Sequence, residues 1–282
     1  MANILVTGAN GQLGSEINAI KEEYPGFNFL FTDIQELDLT KKSEVEQYIS
    51  SNSVDVCLNC AAYTAVDKAE DDRDLAMLVN ADAVKILSQA CNKYEVRLIH
   101  ISTDYVFDGT NHKPYVETDS TEPNSFYGIT KLEGEKVLKE NIDNYVIIRT
   151  SWLYSNYGNN FVKTMMRLGN ERDELGVVVD QVGTPTFAAD LAKAIMVCAV
   201  GTKTGTYHYS NQGVISWYDF AKTIMQINKI DCKINPIESK DFPAKAPRPF
   251  YSVLNKSKII NDFGIDIPYW LDSLKLIIER IK

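Results

Sequence analysis

A tyrosine and a lysine four residues apart, Tyr127 and Lys131, are the residues of this chain best suited to acid–base chemistry. In a helix, side chains at this spacing leave the same face, one turn from each other. A free phenol has a pKa of about 10, and a neighbouring positive charge favours the phenolate and lowers that pKa toward the range useful to a general acid. The spacing therefore predicts a proton donor whose pKa is lowered by Lys131.

The same spacing occurs again at Tyr218 and Lys222, so the surrounding sequence has to separate the two copies. Upstream of the first copy, an apolar stretch that is typical of a strand ends in a hydroxyl residue, Thr103. Open α/β sheets bind ligands at the carboxyl ends of their strands. The residue at the equivalent distance before Tyr218 is Ala194, inside an apparent helix. We therefore predict that the first pair is catalytic together with Thr103, and that the second lies on an ordinary helix face.

A glycine-rich turn near the N-terminus indicates a dinucleotide. Residues 3–7 form an apolar run that predicts a buried parallel strand, and a helical pattern follows the turn. The glycines Gly8, Gly11 and Gly14 have a G-x-x-G-x-x-G spacing. Glycines permit a tight turn and let the backbone approach a pyrophosphate, which then sits at the helix N-terminus.

The ends of the following strands predict the adenosine site. Asp33 ends a second strand, about 20 residues past the last glycine, where a carboxylate can accept hydrogen bonds from the ribose. Its charge would repel a 2′-phosphate, so we expect NADH to be accepted. A short third strand at Asp38 and Leu39 would place a side chain and a backbone amide beside the adenine.

Composition excludes several classes of protein. A net charge of −9 and a pI of about 5.0 argue against a nucleic-acid or anionic-membrane surface. No run approaches the roughly 18 apolar residues of a spanning helix. The N-terminus has no basic region of a signal peptide, and an odd count of 5 cysteines in a chain of 282 residues indicates reduced thiols. We therefore expect a cytoplasmic protein.

Cysteine and histidine residues show no pattern of a metal or redox site. Cys57 and Cys60 form C-x-x-C, but they fall in an apparent strand, where an offset of three places the side chains on opposite faces. His100, His112 and His208 are scattered, and His100 ends an apolar strand, as a buried core residue would.

The order of the elements predicts the fold class. Strands and helices alternate up to about residue 150, and one helix is expected from the acidic run at 67–74 through residue 91. This alternation predicts an α/β protein with a Rossmann-type, doubly wound parallel sheet. We expect residues 1–150 to form the dinucleotide-binding domain. Residues 151–282 should form mainly a smaller C-terminal substrate-binding lobe, with some segments returning to the Rossmann domain.

The glycine turn, Ser102-Thr103, and Tyr127 with Lys131 together resemble the extended short-chain dehydrogenases/reductases. Four longer motifs are similar to the dTDP-4-dehydrorhamnose reductase family: AVDKAE at 65–70, STDYVF at 102–107, RTSW at 149–152 and DQVGTPT at 180–186. The resemblance covers nearly the whole chain. It implies NADPH- or NADH-dependent reduction of the 4-keto group of dTDP-4-dehydro-6-deoxy-L-mannose (dTDP-4-dehydro-β-L-rhamnose) to give dTDP-L-rhamnose.

The resemblance also implies roles for individual residues. Tyr127 would donate the proton, Lys131 would hold the nicotinamide ribose, and Thr103 would hydrogen-bond the sugar. Trp152 would contact the substrate, whose diphosphate needs cations, with Arg248 as the best candidate. Further cofactor contacts would come from Gly11, Gln12, Leu13, Asp33, Asp38, Leu39, Ala62, Tyr63 and Thr64.

The resemblance leaves room for Mg²⁺, because some members of the family depend on it, and for a homodimer. The chain shows no compact carboxylate cluster that could be assigned as metal ligands.

Other functions of the same fold remain alternatives. A sugar-nucleotide 4,6-dehydratase needs acidic residues directly after the threonine to eliminate water, whereas here Thr103 is followed by Asp104 and Tyr105, a single carboxylate. A 4-epimerase is a further alternative. A non-catalytic regulatory subunit, such as that of methionine adenosyltransferase, belongs to a different class, and it would have no need of the proton donor Tyr127.

Overall fold

A six-stranded parallel sheet lies at the centre of the computed structural model, which describes residues 1–281. Two-residue and five-residue strands form three smaller pairs outside it. The strands are β1 (Ala2–Thr7), β2 (Phe27–Thr32), β3 (Val54–Asn59), β4 (Arg97–Thr103), β5 (Tyr145–Thr150), β6 (Leu153–Tyr154), β7 (Glu174–Val178), β8 (Val182–Gly183), β9 (Thr186–Phe187), β10 (Gly205–His208), β11 (Ile215–Ser216) and β12 (Lys233–Ile237).

Helices connect the strands of the sheet and build most of the C-terminal part. They are α1 (Gln12–Ile20), α2 (Lys42–Ser51), α3 (Val66–Ala69), α4 (Arg73–Met77), α5 (Ala83–Lys93), α6 (Phe126–Asn141), α7 (Phe161–Glu171), α8 (Ala188–Val200), α9 (Trp217–Asn228), α10 (Ser257–Phe263) and α11 (Trp270–Ile281). Within the described residues, none of these helices combines the length and apolarity needed to cross a membrane.

The sheet has the order β2-β1-β3-β4-β5-β10, and every neighbouring pair is parallel. The chain adds β2 on one side of β1 and β3 on the other, so the direction of winding reverses at β1. Ligands of open α/β sheets bind in the crevice at this point, outside the carboxyl ends of the strands. The predicted fold class, a doubly wound Rossmann-type sheet, is confirmed.

Both faces of the sheet are covered by helices. Side chains alternate along each strand, so the inner strands contribute to the buried core on each face. Ile4 and Val6 of β1 pack into the core beneath α1 and α8, whereas Leu5 between them packs into the core beneath α2, α5 and α6. Cys57 and Cys60 likewise contribute to opposite faces, which confirms that part of the prediction.

A separate core holds the C-terminal lobe together. It is formed mainly by α7, α9 and α11 packed against the parallel pair β7 and β12. Two segments that follow residue 150 lie with the sheet instead: α8 covers one of its faces, and β10 pairs with β5 as the edge strand.

Two elements differ from the sequence-based expectation. The predicted strand at Asp38 and Leu39 is wrong, because Asp38 starts a turn in which its Oδ1 accepts hydrogen bonds from the Thr40 amide (3.0 Å) and hydroxyl (2.7 Å).

The predicted single helix from residue 67 to residue 91 is also wrong. It is divided into α3, α4, a π-helical turn at Leu78–Asp82 and α5. The turn contains Asn80, whose buried side chain bonds the backbone of Tyr63 and the hydroxyl of Thr130. The helix is therefore interrupted at the residue, Asn80, whose side chain bonds to distant parts of the chain.

Candidate active site

Two cavities follow the carboxyl edge of the sheet and meet where β1 and β3 end. The larger measures about 540 Å³ and the smaller about 330 Å³. They share three lining residues: Gly11, Cys60 and Ala62. The two cavities therefore form one elongated cleft across the point where the winding of the sheet reverses.

The glycine turn fits closely against the chain that leaves β3. Gly8 has a φ of +63°, and a Cβ on it would lie 2.7 Å from the Ala61 Cα. A Cβ on Gly14 would lie 2.6 Å from the Ala9 Cα, so this glycine closes the turn onto α1 and lines neither cavity. Gly11, Gln12 and Leu13 line the larger cavity, and Gly8 the smaller.

The smaller cavity contains the residues predicted to bind adenosine. Asp33, Asp38 and Leu39 all line it. The Asp33 carboxylate accepts hydrogen bonds from the Asn10 amide at 3.1 Å and the Ile34 amide at 2.8 Å, so it is oriented across the turn that carries the glycines.

The segment after β3 is only partly directed into the cleft. Ala62 and Thr64 line the larger cavity, but Tyr63 lines neither. The Tyr63 hydroxyl donates to Asp72 at 2.9 Å, and its amide donates to Asn80 at 2.9 Å. Of the predicted cofactor contacts, Tyr63 and Gly14 are therefore the two that lie outside both cavities.

Helix α6 brings the predicted catalytic residues to the larger cavity. The Ser125 hydroxyl caps the helix by accepting the Gly128 amide at 3.2 Å, which sets the first turn at Tyr127 and the second at Lys131. Thr103 ends β4 beside Tyr127, and its hydroxyl accepts the Tyr105 amide at 3.2 Å. All three predicted residues line this cavity.

Burial dominates the protonation of these groups. It raises the pKa of Tyr127 to about 12; the neighbouring Thr103 hydroxyl opposes the rise and Asp104 adds to it. The predicted lowering of the Tyr127 pKa by Lys131 is therefore wrong for this arrangement. Burial also lowers the pKa of Lys131 to about 8, opposed by the charge of Glu135, and raises the pKa of Asp104 to about 6.

A backbone carbonyl of β4 fixes the side chain of Lys131. Its Nζ donates to the Ile101 carbonyl oxygen at 2.7 Å, and the residue is only 2% exposed. The second tyrosine–lysine pair is different: Lys222 donates to the Tyr218 hydroxyl at 3.2 Å on an exposed face of α9, and neither residue lines the cleft.

Trp152 lines the larger cavity from the lobe side. Its backbone has a φ of +48°, and its ring stacks on Trp217, a residue that the sequence analysis missed. The available signal was the capping box of Ser216 and Asp219, which places Trp217 in the first turn of α9.

Arg248 lies outside both cavities, on the segment that crosses over the start of α3. Its guanidinium forms an ion pair with Asp67, with Nη2 to Oδ2 at 2.8 Å. The amides of Lys245 and Ala246 donate to the same carboxylate. Asp67 follows Val66, which does line the larger cavity, so this ion pair lies close to the rim.

The loop after β6 was also missed by the sequence analysis. Gly158 and Asn159 line the larger cavity, opposite the glycine turn. Three hydrogen bonds tie the loop to α1. Glu16 accepts from the Ser155 hydroxyl at 2.7 Å and the Asn156 amide at 3.4 Å, and Gln12 accepts from Asn160 at 3.1 Å.

A metal finds no support in the part of the chain that the structure describes. No group of three or more histidine, cysteine, aspartate or glutamate side chains is placed to hold an ion among residues 1–281. His100 and His208 are buried, which lowers their pKa, to about 3 in His208. His100 Nδ1 lies 3.0 Å from the Asn59 amide nitrogen, as expected of a core residue.

A doubly wound sheet with an N-terminal glycine turn, and with a tyrosine, a lysine and a threonine in one cleft, defines an extended short-chain dehydrogenase/reductase. A comparison with models of protein families identifies one family within this class. The chain belongs to the family described by the RmlD substrate binding domain model, which matches residues 1–282. The resemblance of the sequence motifs is thereby confirmed.

Relatives match over almost their whole length. A dTDP-4-dehydrorhamnose reductase of Aggregatibacter actinomycetemcomitans is 41% identical, over 98% of both chains. The crystal structure of such a reductase from Clostridium acetobutylicum has a TM-score of 0.95 at 44% identity, covering 99% of each chain. That of Bacillus anthracis, in complex with NADP, has a TM-score of 0.94 at 40% identity, covering 99% of this chain and 100% of the other.

Proposed function

We propose that this protein catalyses the NAD(P)H-dependent reduction of the C4 keto group of dTDP-4-dehydro-β-L-rhamnose to dTDP-L-rhamnose. The observation that carries the proposal is the convergence of Thr103, Tyr127 and Lys131 on one cavity that continues past the glycine turn. Relatives of this name match the chain from end to end, and a similar reductase has been crystallised with NADP.

The cleft fits a nicotinamide dinucleotide. The smaller cavity, with Asp33 and Asp38, would hold the adenosine, and the close approach of Gly8 to Ala61 leaves bare backbone at the N-terminus of α1 for the diphosphate. Lys131, farther along the larger cavity, would hold the nicotinamide ribose. When bound, the nicotinamide supplies the hydride that reduces the keto carbon.

Tyr127 and Thr103 would act on the keto oxygen. Because the pKa of Tyr127 is about 12, the phenol carries its proton at neutral pH and can give it up as the oxygen gains negative charge. The Thr103 hydroxyl donates to Asp104 Oδ1 at 3.0 Å in this structure, and it would turn its proton to the keto oxygen as a second donor. One such donor is typically worth roughly 10²–10³ in rate. The ammonium of Lys131 would stabilise the phenolate that remains.

The substrate would lie on the lobe side of the cavity. Trp152 provides an aromatic wall for the sugar, and Arg248 is the cation proposed for the diphosphate, which requires it to turn from Asp67 toward the cleft. Asp33 favours the acceptance of NADH, since a 2′-phosphate would meet its carboxylate. No step is assigned to Mg²⁺. The cytoplasmic location and the homodimer stay predictions.

Turnover of NADH or NADPH with dTDP-4-dehydrorhamnose tests the proposal, with the two tyrosine–lysine pairs as matched sites. Tyr127→Phe should lower kcat by about 10²-fold or more while cofactor affinity is kept. Tyr218→Phe, which removes a hydroxyl from the same spacing on an exposed helix face, should leave kcat unchanged.

Two results would count against the proposal. Unchanged turnover in Tyr127→Phe would remove the proton-donor assignment. If the wild-type protein bound the cofactor tightly and left the sugar nucleotide unreduced, the non-catalytic regulatory subunit would become the better interpretation.

A further inference from the structure

A buried ion pair lies beneath the floor of the larger cavity. Glu135 is 0% exposed and Arg149 is 2% exposed. The guanidinium donates twice to the carboxylate, from Nε to Oε1 at 2.8 Å and from Nη2 to Oε2 at 2.7 Å. The Ser102 hydroxyl donates to Oε1 at 2.6 Å, and the Lys139 ammonium donates to Oε2 at 3.4 Å.

The carboxylate of Glu135 lies on the same helix face as the catalytic residues of α6. Glu135 follows Lys131 by one helical turn and Tyr127 by two, so the three side chains form one row along the helix. The helix therefore presents its acid, its ammonium and this carboxylate to the same edge of the sheet.

Two of the partners of Glu135, Ser102 and Arg149, lie on neighbouring strands at the larger cavity, each directly before a threonine that lines it. Ser102 directly precedes Thr103 on β4, and Arg149 directly precedes Thr150 on β5. Ser102 and Arg149 are paired across the two strands, as are the two threonines. One carboxylate thus ties together the helix that carries Tyr127 and the two strands that face it.

Stability alone is a weak reason for such a pair. A buried ion pair can often be replaced by apolar side chains of similar volume without loss of stability, because desolvation offsets most of the attraction. Burial by itself would raise the pKa of Glu135, but Arg149 outweighs burial and the pKa is lowered to about 2, so this carboxylate is charged at neutral pH.

The charge of Glu135 acts on Lys131. Burial lowers the pKa of Lys131 to about 8, and Glu135 is the charge that opposes this lowering. The two buried histidines nearby have lowered pKa values and are neutral at neutral pH. Titratable and charged groups lie on each element packed around Lys131. They are Tyr127, Glu135 and, paired with Glu135, Lys139 on α6, His100 on β4, Asp104 after it, Arg149 on β5 and His208 on β10.

We propose that Glu135 is a positioning residue for the reaction: it holds α6 against β4 and β5 and places a fixed negative charge one helical turn from Lys131. The inference rests on the proposed function in giving Lys131 its contact with the cofactor. Glu135 itself lines neither cavity, so it acts through Lys131 and through the strand that carries Thr103.

The pH dependence of NADPH binding tests this role without requiring turnover. A contact made by charged Lys131 weakens as the pH rises through the pKa of that lysine, near 8 in the wild-type protein. Glu135→Gln removes the opposing charge, so the midpoint of this loss should move to lower pH by about 1 unit, as expected for a charged neighbour. Glu140→Gln, an exposed change of the same charge on the same helix, should keep the wild-type midpoint.

A second variant keeps the test decisive if Glu135→Gln fails to fold, because that change leaves Arg149 buried without its partner. Glu135→Gln combined with Arg149→Met removes both charges. It should restore folding, as measured by thermal unfolding, and still shift the midpoint in the same direction by a smaller amount.

The outcomes separate this inference from the proposed function. A folded Glu135 variant with the wild-type midpoint would overturn the positioning role, whatever the catalytic activity. A shifted midpoint in a protein that fails to reduce the sugar nucleotide would support the role of Glu135 and overturn the proposed reaction.

Discussion

The ring of Trp152 lies flat on the ring of Trp217, with 3.7 Å between the centroids and 12° between the planes. The backbone of Trp152 is in the left-handed region, which is costly for a bulky residue. Its ring also packs on Gly183, where a Cβ would lie 2.8 Å from the indole. The lobe thus holds a strained aromatic residue against the cavity, with one stacking partner on α9.

Trp217→Leu should therefore weaken substrate binding specifically. An aromatic pair contributes about 0.5–1.5 kcal/mol beyond its buried area, so we expect the KM for the sugar nucleotide to rise roughly 3–10-fold. Steady-state kinetics with each substrate varied in turn measures the change. Trp217→Phe keeps an aromatic ring at this position, so its KM should lie close to the wild-type value. An equal rise in the KM for NADPH would instead indicate a general loosening of the cleft.

Gly8→Ala should abolish tight cofactor binding. The left-handed backbone at φ +63° costs a non-glycine residue about 1–2 kcal/mol, and the new Cβ would meet the Ala61 backbone at 2.7 Å. We expect NADPH affinity, measured by fluorescence titration, to fall at least about 10-fold, since 1.4 kcal/mol is a factor of ten.

Gly26→Ala is the matched control for that change. A Cβ on Gly26 meets nothing within 4 Å, and its backbone is outside the left-handed region. Affinity should stay at the wild-type value. A comparable loss in both variants would remove the close approach of Gly8 to Ala61 as the explanation.

Arg248→Gln should raise the KM for the sugar nucleotide with little change in cofactor affinity. The change removes the cation proposed for the diphosphate, and we expect an increase of roughly tenfold, the scale of a charge-assisted hydrogen bond of about 1.5 kcal/mol. Asp67→Asn keeps that cation and removes only its ion-pair partner. Equal effects of the two variants would show that Arg248 acts only by holding its segment on α3.

Asp104→Asn should change the pH dependence of stability. Burial raises the pKa of Asp104 to about 6, so its contribution to stability is complete below about pH 4 and is lost as the pH rises through about 6. Asparagine does not ionise, so the variant does not lose stability as the pH rises through this range. Relative to wild type, the variant should gain up to about 3 kcal/mol in the free energy of unfolding between pH 4 and pH 7.

Urea unfolding at several pH values measures that difference, with Asp74→Asn as a control for the loss of an exposed carboxylate on α4. A difference between Asp104→Asn and wild type that is independent of pH would contradict a buried, weakly acidic Asp104.

The sheet and the glycine turn were predictable because their signals are local. A run such as residues 3–7 is apolar at every position only when both faces of a strand are buried, and Gly8 needs its backbone conformation whatever the rest of the chain does. The sequence also indicated which of the two tyrosine–lysine pairs lies in the cleft, because a strand that ends in Thr103 precedes only that pair. Its catalytic role stays a prediction.

Features set by distant parts of the chain escaped prediction. The π-helical turn at Asn80 depends on Tyr63, earlier in the chain, and on Thr130 of α6. The turn at Asp38 is the exception, because its carboxylate bonds Thr40 only two residues away and that local signal was overlooked. The pKa of Tyr127 was predicted from its neighbour Lys131, but burial by the assembled cleft decides its direction. Trp217 lines neither cavity, and it meets the cavity-lining Trp152 only through the packing of the lobe.

The edge strand β10 has a consequence for synthesis. The sheet gains its last strand only when residues 205–208 have been made, and α8, which covers one face, precedes them directly. A nascent chain that stops at residue 150 has β5 as an open edge and an apolar face without its helix, and such surfaces favour aggregation. The strand β4 and the helix α6, which carry Thr103, Tyr127 and Lys131, are therefore complete in sequence well before the ribosome has delivered the segments that protect them.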